Sequence, residues 1–471
     1  MTDLSPTALR PLLWLVAGAV FMQMLDTTIV NTALPAMARD LGQSPLRMQA
    51  VVVAYALTVA MLIPASGWLA DRFGTRRIFV FAIALFTVGS LACALAQDFQ
   101  QLVGARIVQG VGGALLLPVG RLAVLRSVPR KDFLAAMSFV TVPGLIGPLV
   151  GPTLGGWLVE VASWHWIFLI NLPLGLVGTF AALRLMPDLR AQVFRFDSLG
   201  YLLLAFGMVA VSLAMDGLAD HSPRRGVMLV LLVFGLAALV AYWLHAARAE
   251  RPLFPLSLFK VHTYRVGLLG NLFSRIGSSG MPFLIPLLLQ VALGYSPMRA
   301  GLLMIPIAAA GMFSKRIVVP LVHRLGYRRV LVGNTVLVGL AMASFALIQP
   351  GQPVWLHVLQ FACFGAVNSL QFTAMNTLAL RDLDGELASS GNSLLSMVMM
   401  LAISLGVAVA GGLLGAFGGE GGHRVAGQAL DAFRWCFVSM GLITLASAAI
   451  FAQIPATRRI PAAAVKRADP G

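Results

Sequence analysis

The chain has 471 residues, of which 59% are hydrophobic and 11% charged, with a formal net charge of +16. Soluble domains carry about 25% charged residues, so this chain lacks the polar surface to face water on every side and reads as an all-α protein crossing a membrane many times. Its Lys and Arg residues lie in short clusters between apolar runs, a topological distribution rather than a nucleic-acid surface, and it has no P-loop, His/Cys metal box or catalytic triad.

Apolar runs fall at 11–34, 48–70, 78–96, 101–124, 133–158, 165–186, 197–217, 225–247, 264–291, 299–320, 329–348, 354–380, 391–417 and 433–453. Most approach the roughly 20 residues a bilayer-spanning helix needs. The first run is too long for a signal-peptide core and shows no small-residue cleavage pattern, so it stays in place as a helix. It carries Asp26 midway. An ionised carboxylate is expensive at that depth and must face the bundle interior. There it can take up and release a proton as a cavity alternates between the two sides. It can equally be held by a cation of the fourth helix, or cap neighbouring backbone. Asn31 follows on the same run.

Between the second and third runs stands GWLADRFGTRR, residues 67–77, with Gly67, Asp71, Arg72, Gly74, Arg76 and Arg77. The fourth run holds Arg106 as the only charge in its interior. Arginine does not deprotonate usefully, so Arg106 can tune an acid, bind an anionic group or bond helix-end carbonyls. Gln109 lies one turn on, placed to line a pathway or to bond another helix. In the fifth run Gly147, Gly151, Gly155 and Gly156 recur around Pro148 and Pro152. Small residues four apart allow close helix approach and prolines bend a helix, which suits a moving gate as well as plain packing. Trp157, Trp164 and Trp166 mark the opposite interface. Asp216, Asp220, Arg224 and Arg225 read as a solvated turn between the seventh and eighth runs.

The ninth run contains Arg275 without an acid, together with Asn271 and Gln290. Arg275 either faces the cavity or extends to an interface. Asn368, Gln371, Asn376 and Asn392 are further polar residues able to line a pathway or to bond another helix, and Asp382, Asp384 and Glu386 form an acidic loop. Cys93, Cys363 and Cys436 lack paired spacing and read as buried, inert thiols.

LGQSPLR at 41–47 returns as LGYSPMR at 293–299, and DRFGTRR at 71–77 as HRLGYRR at 323–329, both at an offset of 252 residues. The second loop supplies His323, Arg324, Gly326, Arg328 and Arg329. The chain therefore reads as two related halves: a six-helix bundle over 1–190, two inserted helices over 191–260, a second six-helix bundle over 261–457, and a tail over 458–471. The Lys and Arg bias places both termini in the cytoplasm. Repeated halves around a central site are a recurrent build of secondary transporters, and the two charged loops can latch the cytoplasmic ends together in one state.

The 67–77 loop resembles the signature loop of the major facilitator superfamily. LDTTIVNTALP at 25–35, R-x-x-Q-G-x-G-G at 106–113 and G-x-x-x-G-P-x-x-G-G at 147–156 are similar to motifs of its fourteen-helix drug:proton antiporters. The resemblance implies a proton-coupled exporter of small molecules in a bacterial inner membrane, of multidrug-efflux type and not an enzyme. It implies Asp26 and Arg106 in coupling. The proton gradient drives such a protein, with no cofactor and no metal. Its partners are a small-molecule substrate, protons and membrane lipid, not nucleic acid, and the chain is expected to be a monomer. One acid against two arginines in the membrane interior leaves export of an anionic metabolite or metal–metabolite chelate, such as a citrate-like carboxylate, as an alternative. A non-transporting sensor or scaffold is a second. Two positions depart from the family pattern: Thr75 stands where the loop is often basic, and His323 where the first half has Asp71.

Overall fold

The computed structural model describes residues 6–128, 133–190, 195–219, 225–383, 385–418 and 426–455. Asp220, Arg224, Asp384 and the expected tail lie outside them. Inside a bilayer each backbone N–H and C=O must find a partner within the protein, and the described residues are helical with no strand. In chain order the helices are α1 (Pro6–Asp40), α2 (Gln49–Phe73), α3 (Thr75–Ala94), α4 (Phe99–Ser127), α5 (Phe133–Val161), α6 (Trp166–Leu169), α7 (Asn171–Leu185), α8 (Ser198–Ala219), α9 (Arg225–Arg248), α10 (His262–Ser279), α11 (Met281–Leu287), α12 (Pro297–Leu325), α13 (Tyr327–Ser344), α14 (Val354–Leu380), α15 (Gly385–Gly418), α16 (Ala426–Ala446) and α17 (Ala448–Phe451). Among the described residues, 13 helical spans are long and apolar enough to cross a membrane. The proline-bearing α5 is a further rod of 29 residues. Each crossing reverses the chain, so α16 and α17 return to the end at which α1 begins, here termed the near end.

The sequence repeats are repeated turns. Gly42 and Gly294 have φ of 62° and 69°, and Gly74 and Gly326 have φ of 95° and 79°. A side chain is strained in that region. At the far end, Ser44 and Ser296 each accept a hydrogen bond at 3.3 Å, from the N–H of Arg47 and Arg299. At the near end, Gly74 and Gly326 close α2 and α12 by donating to the Ala70 and Val322 carbonyls.

The pairing of helices repeats as well. In the first half α5 packs on α1, and α4 on α2 and α3. In the second half α15 packs on α10, and α14 on α12 and α13. The halves meet through two exchanged pairs, α5 with α12 and α2 with α15. At the far end, one continuous apolar core joins Ile29, Met37 and Val51 of the first half to Leu284, Ala300 and Ala410 of the second. Toward the near end the buried apolar residues split into separate clusters, one in the first half and others in the second. The molecule is thus sealed at the far end. α8 and α9 pair with each other, and α8 lies mainly on α15 and less on α2. The apolar side chains Val227, Val233, Phe234 and Val240 of α9 are exposed, as lipid contact requires. Cys93 and Cys436 are buried, whereas Cys363 is exposed, because it lies on an outward face of α14.

Candidate functional site

Asp26 and Arg106 are the fully buried charged side chains among the described residues. They form an ion pair of 2.7 Å between Oδ2 and Nη1. The other carboxylate oxygen accepts from Gln109 Nε2 at 2.8 Å and Asn171 Nδ2 at 3.0 Å. Both amides also donate to Ser90 Oγ, at 2.7 and 3.4 Å. Arg106 is itself held by the Val51 carbonyl at 3.3 Å and by Gln109 Oε1. Its guanidinium lies 4.3 Å from the centroid of the Tyr55 ring. Side chains of α4 and α7 therefore meet at a carboxylate carried by α1, and Ser90 of α3 braces the two amides. A lone buried charge would be prohibitive; this one has a counter-ion and two neutral donors.

Between the halves lies a cavity of about 430 Å³. It starts beneath the far-end seal at Asn31, Val52 and Phe283 and extends toward the near end as far as Gln23, Lys315 and Met400. Arg106, Tyr55, Arg275 and Lys315 all line it, and no carboxylate does so among the described residues. Arg275 stacks over Phe372, 4.2 Å from the ring centroid, and its Nε is buried without a hydrogen-bond partner. Neither Arg275 nor Lys315 forms an ion pair among the described residues. Asp26 sits behind Arg106, one side chain removed from the space.

Of the polar residues singled out in the sequence, Asn31, Asn368 and Arg275 reach the cavity. Gln109, Asn271 and Gln371 do not. Gln109 belongs to the Asp26 network. Asn271 turns back to the Gly267 carbonyl of its own helix, 2.9 Å away. Gln371 bonds Asn334 and Thr335 on α13, at 2.9 and 2.6 Å. Gln290 ties the halves together by donating to the Thr32 carbonyl at 2.8 Å. Asn376 and Asn392 are also absent from the cavity wall. Sequence reasoning missed Ser90, Asn171, Tyr55 and Lys315. Lys315 had the position of an interfacial anchor, ten residues before the end of α12, yet it shares the cavity face with Ile307 and Gly311, eight and four residues before it.

The glycines of α5 serve two contacts. A Cβ at Gly147 would stand 2.8 Å from the Leu25 amide, and one at Gly155 the same distance from the Ile29 carbonyl; Gly151 is closed in by Thr28. These three face α1. Gly156 meets the Pro297 carbonyl of α12, and Gly301 of α12 meets the Pro152 carbonyl. Backbone touches backbone across the far-end seam, and Met298 N–H adds a bond of 3.2 Å to Glu160.

The two charged loops do not bond each other among the described residues. Asp71 pairs with Arg126 of its own half at 2.6 Å, and Arg72 lies over Trp68 and Phe73. Gly67 has open space where a Cβ would stand, so no packing demand explains it. Arg76 donates through Nε to the Met186 carbonyl, while Arg77 is exposed. In the second loop His323, Arg324, Arg328 and Arg329 are exposed. The latch expected of them is not formed in this state, with the near end open.

Residues 16–407 match the family profile described as Major Facilitator Superfamily. The chain is 53% identical to the "Putative multidrug resistance protein MdtD" of Cronobacter sakazakii over 455 residues, covering 97% of this chain and 96% of that one. It is 52% identical to the protein of the same name from Escherichia coli strain 55989 over 457 residues, covering 97% and 96%. Among solved structures, a bacterial homolog of the human lysosomal transporter Spinster, in an inward-facing conformation, superposes with a TM-score of 0.68 at 16% identity, covering 95% of this chain and 97% of that one. A D-xylose-proton symporter gives 0.66 at 14% identity, covering 95% and 98%.

Proposed function

The chain belongs to the major facilitator superfamily and is a multi-pass transporter of a bacterial inner membrane, and on that premise we propose that it exports small molecules in exchange for protons. The observation that carries this reading is the Asp26–Arg106 pair, placed so that its cation forms part of the cavity wall. When Asp26 binds a proton, the carboxylate charge that balances Arg106 is lost. The guanidinium keeps the Val51 carbonyl and Gln109 Oε1 but gains an uncompensated charge facing the cavity. Cargo in contact with Arg106 and Tyr55 therefore senses whether Asp26 is protonated, and by linkage changes the affinity of Asp26 for its proton. With the Lys- and Arg-rich loops in the cytoplasm, the sealed far end is external. The structure is then the inward-facing state, in which cargo enters and the proton leaves. The proton gradient suffices as energy source, and one chain contains the whole cavity, so the working unit is a monomer.

Asp26→Asn tests this. In everted vesicles the variant should insert normally and bind cargo, yet build no gradient when a pH difference is imposed. Uphill, pH-driven accumulation by that variant overturns the assignment.

A second reading concerns cargo. The cavity presents Arg106, Arg275 and Lys315 with no lining carboxylate, which on Coulombic grounds favours a solute carrying negative charge over a permanent cation.

A further inference from the structure

His357 is a buried titratable group that takes no part in the Asp26 network. It is the fourth residue of α14, one turn from the far end, and it is fully buried. Neither ring nitrogen has a hydrogen-bond partner among the described residues. A neutral imidazole carries one N–H donor and one acceptor nitrogen, and both are left unmade here. The ring packs edge to face with Tyr295 and Phe361, centroids 6.4 and 6.5 Å apart. Phe361 in turn stacks on Phe345 in the apolar core of the far-end seal.

The segment that covers His357 also closes the seal. α11 runs into a π-turn at Leu288–Ala292, whose Gln290 donates to the Thr32 carbonyl of α1. Such turns interrupt the regular helical ladder and are frequent at functional sites. The LGYSPMR turn follows, with Gly294 at φ 69°. Within it Tyr295 lies against His357, while Pro297 meets Gly156 of α5 and Met298 N–H bonds Glu160. Two positions along the chain thus separate the cover of the histidine from the seam between the halves. Arg299 lies over Tyr295, 4.2 Å from the ring centroid, and is the charged side chain that acts on His357. The other helices packed on α14 are α10, α13 and α15. Their titratable residues stand at the near end or, as Arg275, on the cavity wall.

We propose that His357 is an acid sensor of the far-end seal, and that protons on that side favour the open form. An imidazolium in the sealed form would be a buried charge without an acceptor, beside a second cation, which is prohibitive. His357 therefore binds a proton only when the LGYSPMR turn lifts and admits water. Lifting the turn draws Pro297 and Met298 away from α5 and parts the seam. Because the open form takes the proton and the sealed form excludes it, acid raises the open population by linkage. With the far end external, the protein opens outward most readily where protons are supplied. The role requires no particular cargo and no proton on Asp26.

The test is a distance measurement on the purified full chain in nanodiscs, repeated across pH. Spin labels at Gln100→Cys and Gln349→Cys, exposed far-end positions of the two halves, report the seal by pulsed dipolar spectroscopy in a background carrying Cys363→Ser. A group that protonates in the open form alone, with an ordinary histidine value, raises the ratio of long to short separations on the order of tenfold between about pH 7.5 and 5.5. The parent should show that rise. His357→Gln and His357→Phe, which cannot titrate, should each hold the ratio constant over the same range. His165→Gln, which alters the ring stacked on Trp164 in the first half, should respond as the parent does. Asp26→Asn should also leave the rise in place. A His357 variant that folds and still responds like the parent overturns the proposal, as does a parent whose distances ignore pH. Loss of the response in Asp26→Asn would assign it to that carboxylate and overturn the proposal as well.

Discussion

Removing the two unpaired cations of the second half should change which charge the cavity accepts. Arg275 stacks on Phe372 and Lys315 lies on the same side of the cavity, and neither has a carboxylate partner among the described residues. A cargo carboxylate about 4 Å from either cation would gain roughly 4 kcal/mol at an effective dielectric of about 20. Water in a cavity open at one end reduces that to roughly a third, about 1.4 kcal/mol, or tenfold in affinity for each cation. Fluorescein and rhodamine 6G share a xanthene core and differ in the sign of their charge, which makes them a matched pair. Initial rates of pH-driven uptake into everted vesicles at low dye concentration report specificity. Arg275→Ala and Lys315→Ala should each lower fluorescein transport about tenfold, and together by more, while rhodamine 6G changes less than twofold. Equal losses for both dyes would mean that the cations only shape the cavity. A wild type that exports rhodamine 6G in preference to fluorescein would refute the charge argument outright.

Four further outcomes follow from geometry. Asn171→Ala removes one of the three donors to Asp26 and should shift the pH midpoint of transport while sparing expression, measured as rate against pH. Gly156→Leu cannot pass the Pro297 carbonyl, so the far-end seal should open and labelling of cysteines placed beside it should rise more than fivefold. Asp71→Asn breaks the 2.6 Å pair with Arg126, whereas His323 is exposed; near-end cysteine accessibility should therefore respond to Asp71→Asn and not to His323→Ala. At Asp197 burial alone would raise the carboxyl pKa, but the Gly200 N–H, His245 and the Leu253 N–H outweigh it and hold the group below the ordinary carboxylate value. Its contribution is therefore full above pH ~4 and lost as pH falls through the lowered folded value. Asp197→Asn should lower the melting temperature at pH 7 and lose that effect in strongly acid buffer.

Much of this architecture was written in local patterns. The repeated turns were legible because a positive-φ glycine and, two residues on, a serine that accepts from the N–H three residues later recur in each copy, the second serine capping α12. Asp26 and Arg106 stood out because charge inside an apolar run is costly anywhere in the fold. Their companions could not be found that way. Asn171 and Ser90 are ordinary polar residues in apolar runs, 145 and 64 positions from Asp26, and only the packing of α7 and α3 brings them to it. Asn271 and Asn368 likewise have equivalent surroundings in sequence. Which one faces the cavity depends on the rotation of each helix against neighbours that sequence periodicity does not specify.

The two halves share a backbone plan but not a task. At the offset of 252, Asp26, Arg106 and Gln109 correspond to Ser278, Val358 and Phe361, while Arg275 and Lys315 correspond to Gln23 and Ile63. The ionisable network sits wholly in the first copy, and the unpaired cations and Phe372 wholly in the second. Such a division lets the two copies drift independently: the second can be reshaped for a new solute without disturbing the Asp26–Arg106 network. A chimera joining the first half of this chain to the second half of a 52% identical relative should therefore keep its dependence on the pH gradient and inherit the relative's selectivity.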